Sequence, residues 1–174
     1  SDNDAFPRSE MEIIQIGAVV VDNDGVVVAT FDRFIKPILH PKLTDFCVQL
    51  TGITQEQVDS AKGAVEVFKE FDAFFVSYSH VHGNRWGSWG GFDMTQLSRD
   101  LIRHNIESTN LVGSARHYNL KVEWAQYLRV RPMGLGRALK VENLQFNGRA
   151  HNGLDDALNI ARLSGVKRFI KSIK

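Results

Sequence analysis

Apolar and polar positions follow two rhythms along this chain. Residues Glu12 to Val21, EIIQIGAVVV, form a nearly unbroken β-branched run, and Asp22-Asn23-Asp24-Gly25 is a turn sequence. A second run, Val26 to Ile35, stops at Lys36-Pro37. Two such runs around an Asn/Asp/Gly turn predict a hairpin. The continuous apolar character of the first predicts burial on both faces and a central place in a sheet. From Thr44 the spacing becomes helical: Thr54-x-x-Gln57 is a capping box, and Val65, Phe68, Phe71, Phe74 and Phe75 then recur at helical intervals. Ser77 to Gly91, rich in Gly, Ser, His and Trp, predicts a loop with a short strand around Trp86 to Trp89. Helices are predicted over Met94 to His104, Leu120 to Leu128 and Gly153 to Ile170, with a shorter one starting in Gly134 to Lys140. A hairpin followed by helices around one further strand is a mixed α/β domain with a helix-covered sheet. No repeat or linker divides the chain, which predicts one domain over residues 1–174.

Composition narrows the classes. With 43% hydrophobic and 24% charged residues over 174 positions, the chain can bury a core. No stretch approaches the roughly 18 apolar residues of a membrane span, so no membrane partner is expected. The polar, acidic stretch Ser1 to Glu12 is unlike a signal peptide, and a single cysteine, Cys47, fits a reducing, intracellular (cytoplasmic) setting. Charge is nearly balanced, 21 basic against 20 acidic residues. A protein that coats long nucleic acid by counterion release carries a large basic excess, so a nucleic-acid ligand here would be a short end held in a pocket. Local basic groups, Arg129, Arg131 and Arg137, and Lys167, Arg168, Lys171 and Lys174, read as solvated helix faces.

Candidate chemistry concentrates in two segments. Asp93 follows a short aromatic strand and opens a helix, in SWGGFDMTQL. It could hold a divalent cation or simply cap that helix. His151 and the pair Asp155-Asp156 lie in GRAHNGLDDALNIAR. Five residues of helix turn through about 500°, so His151 and Asp156 share a site only if the histidine sits on a loop before Gly153. A histidine over a metal-holding carboxylate could take a proton from water; the alternative is an acidic first turn favoured by the helix dipole. Spacing does not choose between Asp155 and Asp156. The pair His80-x-His82 occurs freely in strands and loops, and without HExxH or a Cys/His cluster a zinc site is disfavoured.

Taken together, EIIQIGAVVVD (12–22), FDRFIKP (31–37), FCVQLTGITQEQVD (46–59), SWGGFD (88–93) and FNGRAHNGLDDALNIARL (146–163) resemble the DEDDh exonucleases. They are most similar to the branch of histone-mRNA and small-RNA 3′ exonucleases, with RNase T more distant. The resemblance implies an RNase H-like α/β fold, a central mixed sheet flanked by helices. It implies a 3′–5′ exonuclease that releases nucleoside 5′-monophosphates from a single-stranded 3′ end, RNA favoured over DNA. It assigns Asp93 and Asp156 as metal-holding carboxylates, His151 as general base, and Phe46, Leu50, Thr51 and Phe92 to the terminal nucleotide. Two divalent cations, Mg2+ or Mn2+, suit carboxylate ligands. A homodimer is an allowed assembly, since RNase T-like relatives can act as dimers.

One motif departs from the pattern. The family's first Asp-x-Glu ends an apolar strand just before the hairpin, and residues 1–11 contain no such strand. The native chain is therefore expected to begin upstream, and the 174 residues alone are expected to hold metal poorly and turn over little. Asp2 and Asp4 are the alternative carriers of that motif. The rival functions are a non-catalytic module of the same fold that binds nucleic-acid ends or a protein partner, a DNA exonuclease of the proofreading kind, and a metal-free interaction domain.

Overall fold

A computed structural model describes residues 6–107 and 109–173. Asp2, Asp4 and Lys174 lie outside the described residues. The hairpin forms as the pattern requires, from β1 (Gln15–Val21) and β2 (Val27–Phe34), antiparallel from Gln15 opposite Phe34 to a bulge at Val20/Val21. Its turn is closed by Asp22, whose Oδ1 accepts from the backbone N–H of Asp24 and of Val26, both at 2.9 Å. Then come α1 (Asp45–Thr51) and α2 (Gln55–Asp59). The capping box of α2 is complete: Gln57 N–H donates to Thr54 Oγ1, and Thr54 N–H to Gln57 Oε1. The chain continues through α3 (Ala64–His82), β3 (Arg85–Ser88), α4 (Phe92–Arg103), α5 (Asn110–Gly113) and β4 (Arg116–Asn119). It ends with α6 (Leu120–Leu128), α7 (Leu135–Val141), α8 (Gly153–Arg162) and α9 (Ser164–Ser172).

The strands divide into two ribbons. β1 pairs with β2, and β3 pairs in parallel with β4, Arg85 opposite Arg116 through Ser88 opposite Asn119. Among the described residues no strand joins the two ribbons, so β1 has a strand on one edge only. Helices α8 and α3 pack against β1, but only Ile16 is fully buried and the other strand residues are half-buried. The prediction of a fully buried central strand is met only at that position. Two apolar cores result. One joins Ile16, Phe31 and Ile35 to Val67 and Phe68 of α3 and to Leu97 and Leu101 of α4. The other gathers Trp124, Ala138, Leu139, Leu163 and Val166, with Ile160 of α8 against it.

Three elements differ from the sequence reading. Helix α3 runs on to His82 through the predicted loop. The hydroxyls of Ser77 and Ser79 donate to carbonyls three residues back (Phe74 and Val76) instead of breaking the helix. Phe74, Tyr78 and His82 meet at i, i+4 along its side, the first pair tilted and the second stacked, with centroids 5.1 and 6.4 Å apart. His80 and His82, two helical positions apart, therefore point in different directions and form no pair. The helix predicted over Gly153 to Ile170 is two helices, broken at the extended, buried Leu163. Glu142 makes the break: its carboxylate accepts from Ser164 N–H (2.6 Å), Gly165 N–H (3.3 Å) and Trp124 Nε1–H (2.7 Å). Burial works against that charge, but the bonds from Ser164, Trp124 and Gly165 win and hold the carboxyl below its usual pKa. Strand β4, RHYN, has little β-forming character and is fixed by its pairing with β3.

A buried polar strap sets α4 against the start of β1. Asp100, 2% exposed, accepts from Ile13 N–H at 2.7 Å and pairs with Arg103. Gln96 Nε2 and Arg103 Nη1 both donate to Met11 O, at 2.7 and 3.0 Å. Burial pushes the Asp100 carboxyl up even so, against the pull of the Ile13 bond and the Arg103 charge. The helix that carries Asp93 is thereby tied to the segment entering the hairpin.

Candidate active site

Asp93 is the second residue of α4. The helix is capped by Gly91, without a side-chain bond. Asp93 is thus not the cap that sequence alone allowed, and among the described residues its carboxylate accepts no hydrogen bond. The residue is exposed, yet enough protein surrounds the carboxylate for desolvation to raise its pKa, with the His117 ring pulling it back. Phe92 beside it is 49% exposed, a large apolar ring with no packing duty that would explain it.

Asp156 comes from the other side, in the first turn of α8. Asn152 caps this helix, its side chain accepting from Asp155 N–H at 3.2 Å. The preceding loop turns back on the helix through His151, which holds a left-handed backbone at φ 68°. That conformation aims the His151 N–H at Asp156 Oδ1, 3.1 Å away. The histidine is on a loop, with its side chain exposed. The two adjacent aspartates separate here. Asp155 Oδ2 accepts from Arg149 N–H at 2.9 Å and holds the loop, whereas Asp156 faces the histidine. Burial raises the Asp156 carboxyl; His151 lowers it, and the charges of Asp155 and Asp93 raise it further. The charge of Asp93, on α4, is thus felt at Asp156, on α8.

Two close approaches make this possible. Gly17 of β1 lies against the first turn of α8: a Cβ there would stand 2.0 Å from Leu154 N and 2.1 Å from the Gly153 carbonyl carbon. Gln15 completes the contact, its Oε1 accepting from Gly153 N–H at 2.8 Å. Behind the loop, the buried Asn159 side chain accepts from Asn147 N–H (3.0 Å) and donates to Asn147 O (2.8 Å) and Asp155 O (2.7 Å). His117 on β4 is a neighbour that sequence reasoning missed. Its Nε2 is 2.8 Å from Ser88 Oγ, it packs on Trp86, and burial lowers its pKa while Asp93 raises it. RHYN carried no signal for it; only the β3–β4 pairing brings it to Asp93.

Helix α1 contributes the remaining candidates. Phe46 is 38% exposed, and Leu50 and Thr51 are half-buried. The Thr51 hydroxyl donates to Cys47 O (2.7 Å) and accepts from Ile53 N–H (3.1 Å), which leaves it one lone pair. Among the described residues no group of three or more His, Cys, Asp or Glu side chains is placed to hold a metal. Asp93 and Asp156 are carboxylates raised by burial, one of them without a hydrogen-bond donor, a chemistry that a divalent ion would suit. A groove of about 570 Å3 behind α8, lined by Val26, Val27, Leu158 and Lys167 among others, includes none of Asp93, His151 and Asp156.

The exonuclease family model (RNase_T) matches residues 5–164. The chain belongs to that exonuclease family. ERI1 exoribonuclease 2 of Xenopus laevis is 29% identical, over 90% of this chain and 25% of its own length. Human 3′-5′ exoribonuclease 1 is 28% identical over 91% and 46%, and the Drosophila melanogaster 3′-5′ exonuclease Snipper 29% over 88% and 60%. The chain thus spans between a quarter and three fifths of these relatives. Among solved structures, the nuclease domain of 3′hExo, a DEDDh family member bound to rAMP, superposes with a TM-score of 0.80 at 25% identity, over 93% of this chain and 82% of that one. A 3′-exonuclease described in specific recognition of the histone mRNA stem-loop gives 0.80 at 24%, over 97% and 76%. The fold of this family member is the RNase H-like α/β fold of the DEDDh exonucleases, enzymes that generally use divalent metals. Among the described residues no helix is long and apolar enough to cross a membrane.

Proposed function

We propose that this chain is the nuclease domain of a 3′–5′ exoribonuclease that removes nucleoside 5′-monophosphates from single-stranded 3′ ends. The observation that carries the reading is the loop that bonds the His151 backbone N–H to Asp156, a carboxylate that also feels the charge of Asp93 from another helix. Family membership and the similarity to proteins named exoribonucleases support the same reaction.

Asp93 and Asp156 would hold the divalent cations, Mg2+ or Mn2+. When bound, these supply Lewis acidity toward the phosphodiester and the attacking water. His151, on its outward loop, would accept the proton of that water at a ring nitrogen. Phe46, Leu50 and Phe92 offer apolar surface to the terminal base and sugar, which suits base-tolerant binding because every base has a π-face. The free lone pair on Thr51 can accept from a sugar hydroxyl.

The direct test is His151→Asn in the native protein, assayed on 5′-labelled single-stranded RNA and matched DNA. Asparagine tolerates a left-handed backbone and keeps the N–H that bonds Asp156, so the loop should stay in place. Turnover is expected to fall about 10²–10⁴-fold, with RNA cut faster than DNA by the unaltered protein. Near-normal turnover in the variant would remove His151 from the mechanism. Equal or faster cutting of DNA would favour the proofreading alternative.

A further inference from the structure

Arg149 lies between the two halves of the proposed site and does more than line it. Its backbone N–H donates to Asp155 Oδ2 at 2.9 Å, which fixes it to the first turn of α8. Its guanidinium reaches away from that helix, and Nη2 donates to Gln49 O at 2.8 Å. Gln49 belongs to the last turn of α1, where carbonyls have no partner within the helix and a cation is favoured by the helix dipole. The next residue past that helix, Gly52, has φ 73°, and a Cβ there would come within 2.4 Å of Arg149 Nε. The guanidinium is seated in a notch that only glycine leaves open.

We propose that Arg149 is a positioning residue that fixes the nucleotide-holding helix relative to the general base. The inference rests on the exonuclease reading above. Phe46, Leu50 and Thr51 ride on α1; His151 rides on the loop two residues beyond Arg149. One side chain, anchored at both ends, sets the distance between the groups that seat the terminal nucleotide and the group that takes the proton. Lateral error of about 1 Å between bound substrate and catalytic group can cost on the order of 100-fold in rate. The tether therefore acts on turnover rather than on affinity.

The test is steady-state kinetics of the native protein on single-stranded RNA, with Arg149→Met, Arg149→Lys and Gly52→Ala, each checked for an unchanged circular-dichroism spectrum. Arg149→Met keeps the stem and removes the donors; kcat is expected to fall about 10–100-fold with KM within about threefold. Arg149→Lys, which keeps one donor for Gln49 O, should recover much of the loss. Gly52→Ala should slow the unaltered protein, because its Cβ would displace the Arg149 side chain from Gln49 O and its backbone is held at φ 73°. A KM that rises with kcat preserved would overturn the proposal in favour of a direct phosphate contact. Full kcat in Arg149→Met with only a lower melting temperature would reduce the residue to a structural one. If the unaltered protein cuts no RNA, the exonuclease reading itself fails, which is a different result from an active protein indifferent to Arg149.

Discussion

Replacing Asp156 with asparagine is expected to abolish most turnover, by about 10³-fold or more, while leaving the protein as stable as before or more so. Asparagine Oδ1 can still accept from His151 N–H, so the bond that shapes the loop survives. What disappears is a carboxylate whose charge the fold disfavours, through burial first and then through Asp155 and Asp93. The sign follows from linkage. A carboxyl whose folded pKa lies above its unfolded value makes the folded state less stable as pH rises through those two values. The penalty is complete at neutral pH and absent in acid, where the group is protonated in both states. In chelator, Asp156→Asn should therefore melt level with the parent, or up to roughly 3 °C higher, at pH 7. The two should melt together below about pH 4. A melting point well below the parent at pH 7 would mean that Asp156 is a structural residue and that the site has been misread.

Gly17→Ala should be the most damaging single methyl group in the described chain. Its Cβ would meet backbone on both counts, Leu154 N at 2.0 Å and the Gly153 carbonyl carbon at 2.1 Å. No side chain can swing aside; α8 must lift from β1 and lose the Gln15–Gly153 bond. A loss of at least about 3 kcal/mol is expected, or a melting point lower by roughly 6–12 °C. Activity should fall as well at temperatures where the protein stays folded, because the helix that lifts carries Asp156. Urea unfolding and kinetics on the same samples would measure both. Gly136→Ala is the control: it sits in α7 with nothing within 4 Å of an added Cβ, and should be neutral or stabilise by up to about 1 kcal/mol. Equal behaviour of the two variants would refute the close approach at Gly17.

Local rules wrote the parts of this fold that local rules could predict. The Asp22–Gly25 turn, the Thr54–Gln57 capping box and helix α6 are each decided by neighbours in sequence, and each lies where the pattern put it. The extension of α3 past Ser77 is not legible locally, because serine either breaks a helix or back-bonds within it and the sequence does not say which. The break at Leu163 depends on Glu142, a residue from another element, and β4 on a strand distant in sequence. The candidate site divides the same way. Asp93, His151 and Asp156 stand out by residue type, motif order and family resemblance. The loop-holding duty of Asp155, the closeness of His117 to Asp93 and the reach of Arg149 to α1 are all long-range facts that no spacing encodes.

The two cores give the carboxylates an unusual mounting. Asp93 stands on a helix whose apolar side, Leu97 and Leu101, is sunk in one of them, and Asp156 on a helix that leans through Ile160 on the other. Because α8 also lies along β1, whose Ile16 belongs to the first core, whatever bridges the pair adds a link between two helices that the strand already joins. Its departure should be audible on both sides of that link, as faster amide exchange in α4 and in α8 alike.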